Sequence, residues 1–290
     1  MTDTSTADVA GSDRAAPAAP PPVKQRKDRG RWDPRERPEL VLVPAVFVVV
    51  VLAWEFGVRL FDVDAFVLPP PSDIASSLGN QLTDDRFWGH FWVTTQETLV
   101  GFAIGVIVAL TLGTMISQVP ILEKTLMPYI VAFQTVPKVA LAPLFVVWFG
   151  FGLTSKIVMA AVISFFPILI NVIEGLRSAD SDRIQMLTVF GASRSQIFRM
   201  VRLPTALPFI FAGLDIGIVF AILGAVVGEF IGAQEGLGYL LLQTNYNFDI
   251  AGMFAVLVVL SLMGMLAHLL IRFAQRKVAF WAEENRVIGA

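Results

Sequence analysis

Apolar residues fall along the chain in six long blocks: Leu40 to Leu60, Trp92 to Ser117, Thr125 to Gly152, Ser155 to Ile173, Phe209 to Phe230 and Ile250 to Ile271. Each is near or above the ~20 residues that a helix needs to cross the hydrocarbon core of a bilayer. The pattern predicts an all-α integral membrane protein with six transmembrane helices. Gly101, Gly105, Ala109 and Gly113 recur every fourth residue in the second block, as do Gly213, Gly217, Ala221 and Ala225 in the fifth. Small residues on one helical face let another helix approach closely, either inside one chain or at a subunit seam. Pro128, Pro137 and Pro143 interrupt the third block. A membrane tolerates the carbonyls that prolines free only where protein or a water-filled cavity satisfies them.

The intervals between the blocks are equally informative. The stretch FDVDAFVLPPPSDIASSLGNQLTDDRFWGH after the first block is acidic, aromatic and proline-rich. It fits the outer side, with Ile74 to Leu82 as an interfacial helix and Trp88 and Trp92 at headgroup level. GAQEGLGYLLLQTNYNFD, after the fifth block, reads as a second outer loop, turned by Gly236 and Gly238 and anchored by Tyr239 and Tyr246. Glu174 to Pro208 holds Arg177, Arg183, Arg194, Arg199 and Arg202, too many for a bilayer core, yet Ile184, Leu187, Phe190, Ile197, Phe198 and Val201 keep helical spacing. Two short helices are predicted there. Asp180, Ser181 or Asp182 caps the first, Gly191 ends it, and Ser193 with Gln196 forms a capping box for the second. Pro204 is expected to stop that second helix before the fifth span begins. The result is a compact knob with Gly191 and Ala192 at its tip, suited to a groove of a cytoplasmic partner or to an anionic lipid surface.

Charge sets the orientation. Eighteen of the 22 lysines and arginines fall in segments assigned to the inner side: eight in residues 1–38, Lys124, the five arginines of the long interval and four at the C-terminal end. The positive-inside rule then places both termini in the cytoplasm. Residues 1–38 are Ala/Pro-rich, then basic, and are read as a disordered cytoplasmic tail. The first apolar block has no small-residue cleavage site after it and is read as a retained anchor rather than a signal peptide.

Composition narrows the chemistry. With 55% hydrophobic residues, 16% charged residues and a mean hydropathy of +0.68, the chain is too apolar for a soluble domain. It has no cysteine and only two histidines, so thiol chemistry and a histidine-rich metal site are excluded. No G-x-x-x-x-G-K-[ST], H-E-x-x-H or G-x-S-x-G motif occurs, and the intramembrane acids are scattered singly. Neither an enzyme nor a cofactor, metal or nucleic-acid partner is expected. Lys138 in the third block and Asp215 in the fifth are candidate pathway residues, because a charge at that depth faces a cavity, finds a partner or snorkels. Glu229 closes the outer end of the fifth block. An ion-coupled secondary transporter built on Lys138, Asp215 or Glu229 is the competing class, and so is a membrane scaffold, although no inverted repeat is evident.

The run GASRSQIFRMVRLPTALP resembles the E-A-A…G…I-x-L-P loop of permease subunits of bacterial ATP-binding cassette (ABC) importers. PKVALAPLFVVWFGFG, VLPPPSDI and VGEFIGAQEGLGYL look like the nitrate/sulfonate/taurine-type branch of that family, and the likeness extends from about Trp54 to Phe280. The resemblance implies a type I importer permease (MetI-like) fold with a core over 91–273, preceded by the first helix and outer segment 39–90 and followed by a cytoplasmic tail 274–290. It also implies a coupling loop at 177–205, where Gln185, Phe190, Gly191, Ala192, Ser193, Arg194, Ile197, Leu203 and Pro204 meet the ATPase. Implied partners are cytoplasmic ABC ATPase subunits, an extracytoplasmic solute-binding protein, a second copy of the permease and membrane lipid. The implied cargo is a small anion such as nitrate, a sulfonate or taurine, or a vitamin-precursor heterocycle. One departure stands out: Gln185, Met186 and Leu187 occupy the place of E-A-A.

Overall fold

A computed structural model describes residues 39–281 of the chain. The basic tail 1–38 and residues 282–290 of the C-terminal tail lie outside the described residues. The described part is helical, and no strand occurs in it. Helix α1 runs from Glu39 to Leu60. Its half through Val49 belongs to one unit, in which the apolar side chains from Val41 onward are exposed; Val50 begins the second unit, which holds everything that follows.

In the second unit, Glu55 and Arg59 pair at 2.6 Å one helical turn apart, and Glu55 accepts from the backbone and hydroxyl of Ser72. Ser72 lies at the start of α2 (Pro71–Leu82), the expected interfacial helix, whose Pro71 occupies the first turn where no N–H is needed. Helix α3 (Asp85–Gln118) is capped by the Asp84 carboxylate accepting from Arg86 N and ends where Val119 is held extended by Pro120.

The third apolar block is two pieces rather than a straight span. Helix α4 (Pro120–Thr135) gives way at Val136 and Pro137 to a 3₁₀ turn, Lys138–Leu141, and then to α5 (Ala142–Phe149); the axis bends by 81°. Val136 precedes a proline and is extended, so α4 cannot continue through it. Helices α6 (Leu153–Arg177), α9 (Leu203–Glu229) and α11 (Ile250–Val278) are each long and apolar enough to cross a membrane, as are α1 and α3. The described helices thus make five such spans, or six if the bent pair counts as one.

Helix α6 is the centre of the packing. The glycine stripe of α3 faces it: a Cβ added at Gly105 would lie 2.6 Å from Ser164 Oγ. The stripe of α9 faces another side of it, and a Cβ at Gly217 would lie 2.6 Å from Ile168. Both stripes are therefore seams inside one chain. Ala109, Ile116, Ile168, Leu169, Val172, Ile173, Ala206 and Ile210 form the main core between α3, α6 and α9. Lipid is as apolar as these side chains, so close van der Waals packing, which small residues permit, holds such a core together.

The segment after α9, whose sequence reads as a turned and anchored loop, contains a helix, α10 (Leu237–Tyr246). Its Leu237 packs with Phe87 of α3 and with Val256 and Val259 of α11. Its apolar face is only one buried leucine and two half-buried ones, too short to stand out beside the long spans.

Candidate functional site

The interval between α6 and α9 folds much as its capping signals direct. Helix α7 (Ser181–Val189) starts where the Asp180 carboxylate accepts from Asp182 N. It ends with three backbone bonds, Phe190 N to Met186 O at 3.1 Å, Gly191 N to Thr188 O at 3.0 Å and Ala192 N to Leu187 O at 2.9 Å. Gly191 sits at φ +81°, in the left-handed region that suits a glycine ending a helix. Ser193 and Gln196 form the reciprocal capping box of α8 (Arg194–Ile197): Gln196 N donates to Ser193 Oγ, and Ser193 N donates to Gln196 Oε1 at 2.7 Å.

Beyond α8 the helix does not stop. A π turn over Phe198–Arg202 leads into α9 without a break, and Leu203 N bonds to Phe198 O five residues back. Pro204 lies in the first turn of α9. The expected stop at Pro204 is thus corrected: the wider turn rearranges the bonding just where proline lacks a donor, and the helix runs on to Glu229.

The knob's tip is apolar and open. Val189 is 86% exposed and Phe190 78%, while Met186 and Gln185 are also exposed. Ile197 is buried and Leu203 half-buried at the knob's base. Arg177, at the end of α6, pairs with Glu123 of α4 at 3.0 Å and so fastens the root of the interval to the preceding turn. Of the expected coupling residues, Gln185, Phe190, Gly191, Ser193 and Arg194 are therefore at the surface, and the remaining four support them. Val189 and Met186 belong to the same exposed tip, and their place on the outward face of α7 next to Phe190 is the signal for them.

Lys138 and Asp215 are not partners. Lys138 Nζ donates to Gln134 O at 2.9 Å and stands 4.7 Å above the Phe166 ring. Asp215 Oδ1 is 2.5 Å from His268 Nδ1, which ties α9 to α11 in mid-span. Each of the two half-buried charges thus has contacts of its own.

The acids are also not scattered singly. Glu97 of α3 and Glu229 of α9, 2% and 1% exposed, lie within hydrogen-bond reach of each other, with buried Lys156 of α6 near enough for its charge to act on both. Glu229 accepts from Thr94 Oγ1 at 2.6 Å and from the N–H of Gly238. Thr94 Oγ1 in turn accepts from Leu237 N at 2.7 Å. Lys156 Nζ donates to the carbonyls of Phe151 and Gly152. The group clasps the start of α10 to α3 and α9. A pattern in the sequence pointed to it: each small-residue stripe, continued by one more step of four, ends in a glutamate, Glu97 before Gly101 and Glu229 after Ala225. Among the described residues, no cluster could hold a metal ion.

Residues 101–280 match the family described as binding-protein-dependent transport system inner membrane component. A riboflavin transport system permease protein of Chloroflexus aurantiacus is 38% identical over 239 residues, which cover 82% of this chain and 89% of that protein. A putative aliphatic sulfonates transport permease protein of Bacillus subtilis is 31% identical over 83% of this chain and 86% of its own length. A taurine transport system permease protein of Escherichia coli is 29% identical over 90% and 96%. Among solved structures, an inward-facing conformation of the MetNI methionine ABC transporter matches with a TM-score of 0.56 at 25% identity, covering 67% of this chain and 94% of that one. With its all-helical fold and its apolar spans, the chain belongs to the binding-protein-dependent inner-membrane permeases of ABC importers, and is a transport component rather than a self-sufficient secondary transporter.

Proposed function

We propose that the chain is the translocating subunit of an ATP-driven importer, that it works as a homodimer with both termini in the cytoplasm, and that separate cytoplasmic ATPase subunits grip its knob. An extracytoplasmic binding protein delivers the solute to the outer face. The core of the permease is 91–273, its coupling loop 177–205. The observation that carries the reading is the exposed apolar tip, Val189 and Phe190, held by two capped helices on a fastened root. Such a tip is a poor surface to leave in water and a good anchor for a partner's groove. Gln185, where a carboxylate is usual, contributes an amide at the same face.

The bend between α4 and α5 supports a pathway between two copies. Non-helical backbone at membrane depth has to be covered by protein or to line a water-filled cavity. Val136, Pro137 and Val139 are exposed in the single chain. Lys138, in the same turn, is then a pathway-lining residue, and Asp215 with His268 a second one.

For the cargo, the relatives' names span riboflavin, formylaminopyrimidine, sulfonates and taurine. We favour a small heterocyclic vitamin or precursor over a small anion. The 38% identical relative is named for riboflavin, and the Lys138 ammonium already has a carbonyl and a ring as partners.

The test is transport by the assembled complex. Gly191→Asp and Ala192→Glu are expected to abolish uptake and solute-stimulated ATP hydrolysis, with membrane insertion intact. Normal uptake by either variant would overturn the reading.

A further inference from the structure

Behind the knob lies a cavity of about 540 Å³, walled by the turn between α3 and α4 on one side and by α7, α8 and the π turn on the other. Two of its lining side chains are Arg194 and Arg202, and no carboxylate lines it. Neither arginine has an ion pair or side-chain hydrogen bond in the described structure, and Arg202 is half-buried. A half-buried guanidinium without an acceptor is a site waiting for one, since its five fixed donors suit a phosphate or a carboxylate.

The π turn explains why these two arginines share a wall. Eight residues of uninterrupted α-helix would set them about 80° apart around the axis. A π turn closes on the fifth residue instead of the fourth, so it takes up roughly one residue more. One α turn and one π turn together span about eight residues, and Arg202 falls in line with Arg194. The irregular turn thus converts two diverging cations into one cationic wall.

We propose that this cavity binds the phosphate of an anionic phospholipid headgroup. It rests on the cytoplasmic placement of the knob proposed above, since the anionic lipid is concentrated in that leaflet. The amphipathic surroundings select a lipid over a soluble anion. Gln118, Val119 and Pro120 line the cavity where α3 and α4, both apolar helices, meet, and Val119 with the next exposed residue but one, Ile121, offers a surface for acyl chains. The bound headgroup occupies both guanidinium forks and braces the knob against the membrane end of α3.

The full chain, purified in mild detergent without ATPase or solute, is incubated with phosphatidylglycerol, phosphatidylcholine or inorganic phosphate, and retained ligand is counted by native mass spectrometry. Phosphatidylglycerol is expected to be retained about ten-fold better than phosphatidylcholine, Arg202→Gln to remove that preference and Arg202→Lys to keep part of it. Thr188→Glu, which sets a carboxylate in the same wall, is expected to exclude the anionic lipid as well, and covers the case that Arg202→Gln does not fold. Equal retention of the two lipids by the native chain, or unchanged preference in both variants, overturns the proposal. Displacement of the lipid by inorganic phosphate at equal concentration makes the site one for a free anion and also overturns it. If Arg202→Gln keeps its lipid in this assay but, purified separately as the whole complex, loses its ATPase, the arginine serves that partner and the proposal fails. Because lipid retention is read without transport, a failed transport reading leaves this result untouched.

Discussion

Glu229 shows how a carboxyl survives almost complete burial between apolar helices. Its two oxygens accept from Thr94 and Gly238, Glu97 lies beside it, and Lys156 supplies the opposing charge. Removing one member leaves the rest desolvated and unpaired, which is worse than never having had the group. Glu229→Ala is expected to destabilise the protein by about 3 kcal/mol. Thr94→Val, which orphans Leu237 N and one carboxyl oxygen, should lose about 1–2 kcal/mol. Denaturant-driven unfolding of the detergent-solubilised chain measures both, and losses below the error of that measurement would mean the clasp is ornamental. Lys138 and Asp215 were legible as anomalies because each interrupts an apolar run. Their partners were not, since nothing in a linear pattern relates Asp215 to His268 across two spans. The glutamate clasp was half legible: the period-four stripes end in Glu97 and Glu229, but only packing on the two sides of α6 brings those ends together.

At the scale of elements, local chemistry spoke plainly wherever a cap or a proline set the backbone. The Ser193–Gln196 box, the Asp180 cap and the Gly191 ending all formed as the residues direct. Gly191 has open space where a Cβ would stand, so Gly191→Ala tests the backbone alone. It is expected to destabilise the knob by about 1 kcal/mol through its left-handed φ, seen as faster amide exchange over 186–194 with the spans unchanged. The glycine stripes test the opposite limit. Gly217→Leu drives a large side chain into Ile168 and is expected to destabilise the protein by about 1–3 kcal/mol, visible as a lower thermal midpoint. An unchanged midpoint would show that α6 and α9 separate at little expense. Pro204 misled because a proline's effect depends on the turn that precedes it. In an α-helix it removes a bond, whereas after a π turn the bonding has already been shifted. Helix α10 escaped notice because its glycines and short apolar face look like a loop until α11 is placed beside it.

For the whole molecule, the unresolved demand of the single chain is the bend at Val136–Leu141. A span broken by 81° leaves carbonyls that lipid cannot satisfy, and in one copy the turn is uncovered. A water-filled path shared with a second copy meets that demand and uses Lys138 without placing its charge in lipid. The chain has no cysteine, so an introduced thiol is its only one, and a link between two such thiols joins two copies. Val139→Cys is expected to react with a water-soluble maleimide in native membranes and to give a cross-linked dimer with a bifunctional one. Phe47→Cys, in the unbroken apolar run 41–50 of the first span, is expected to do neither. An inert Val139→Cys would place the bend against other protein or lipid and remove the physical reason for a pathway between copies. Labelling without cross-linking would keep the aqueous path but confine it to one chain. Only the doubly reactive result joins the bend, the lysine and the second copy in one pathway.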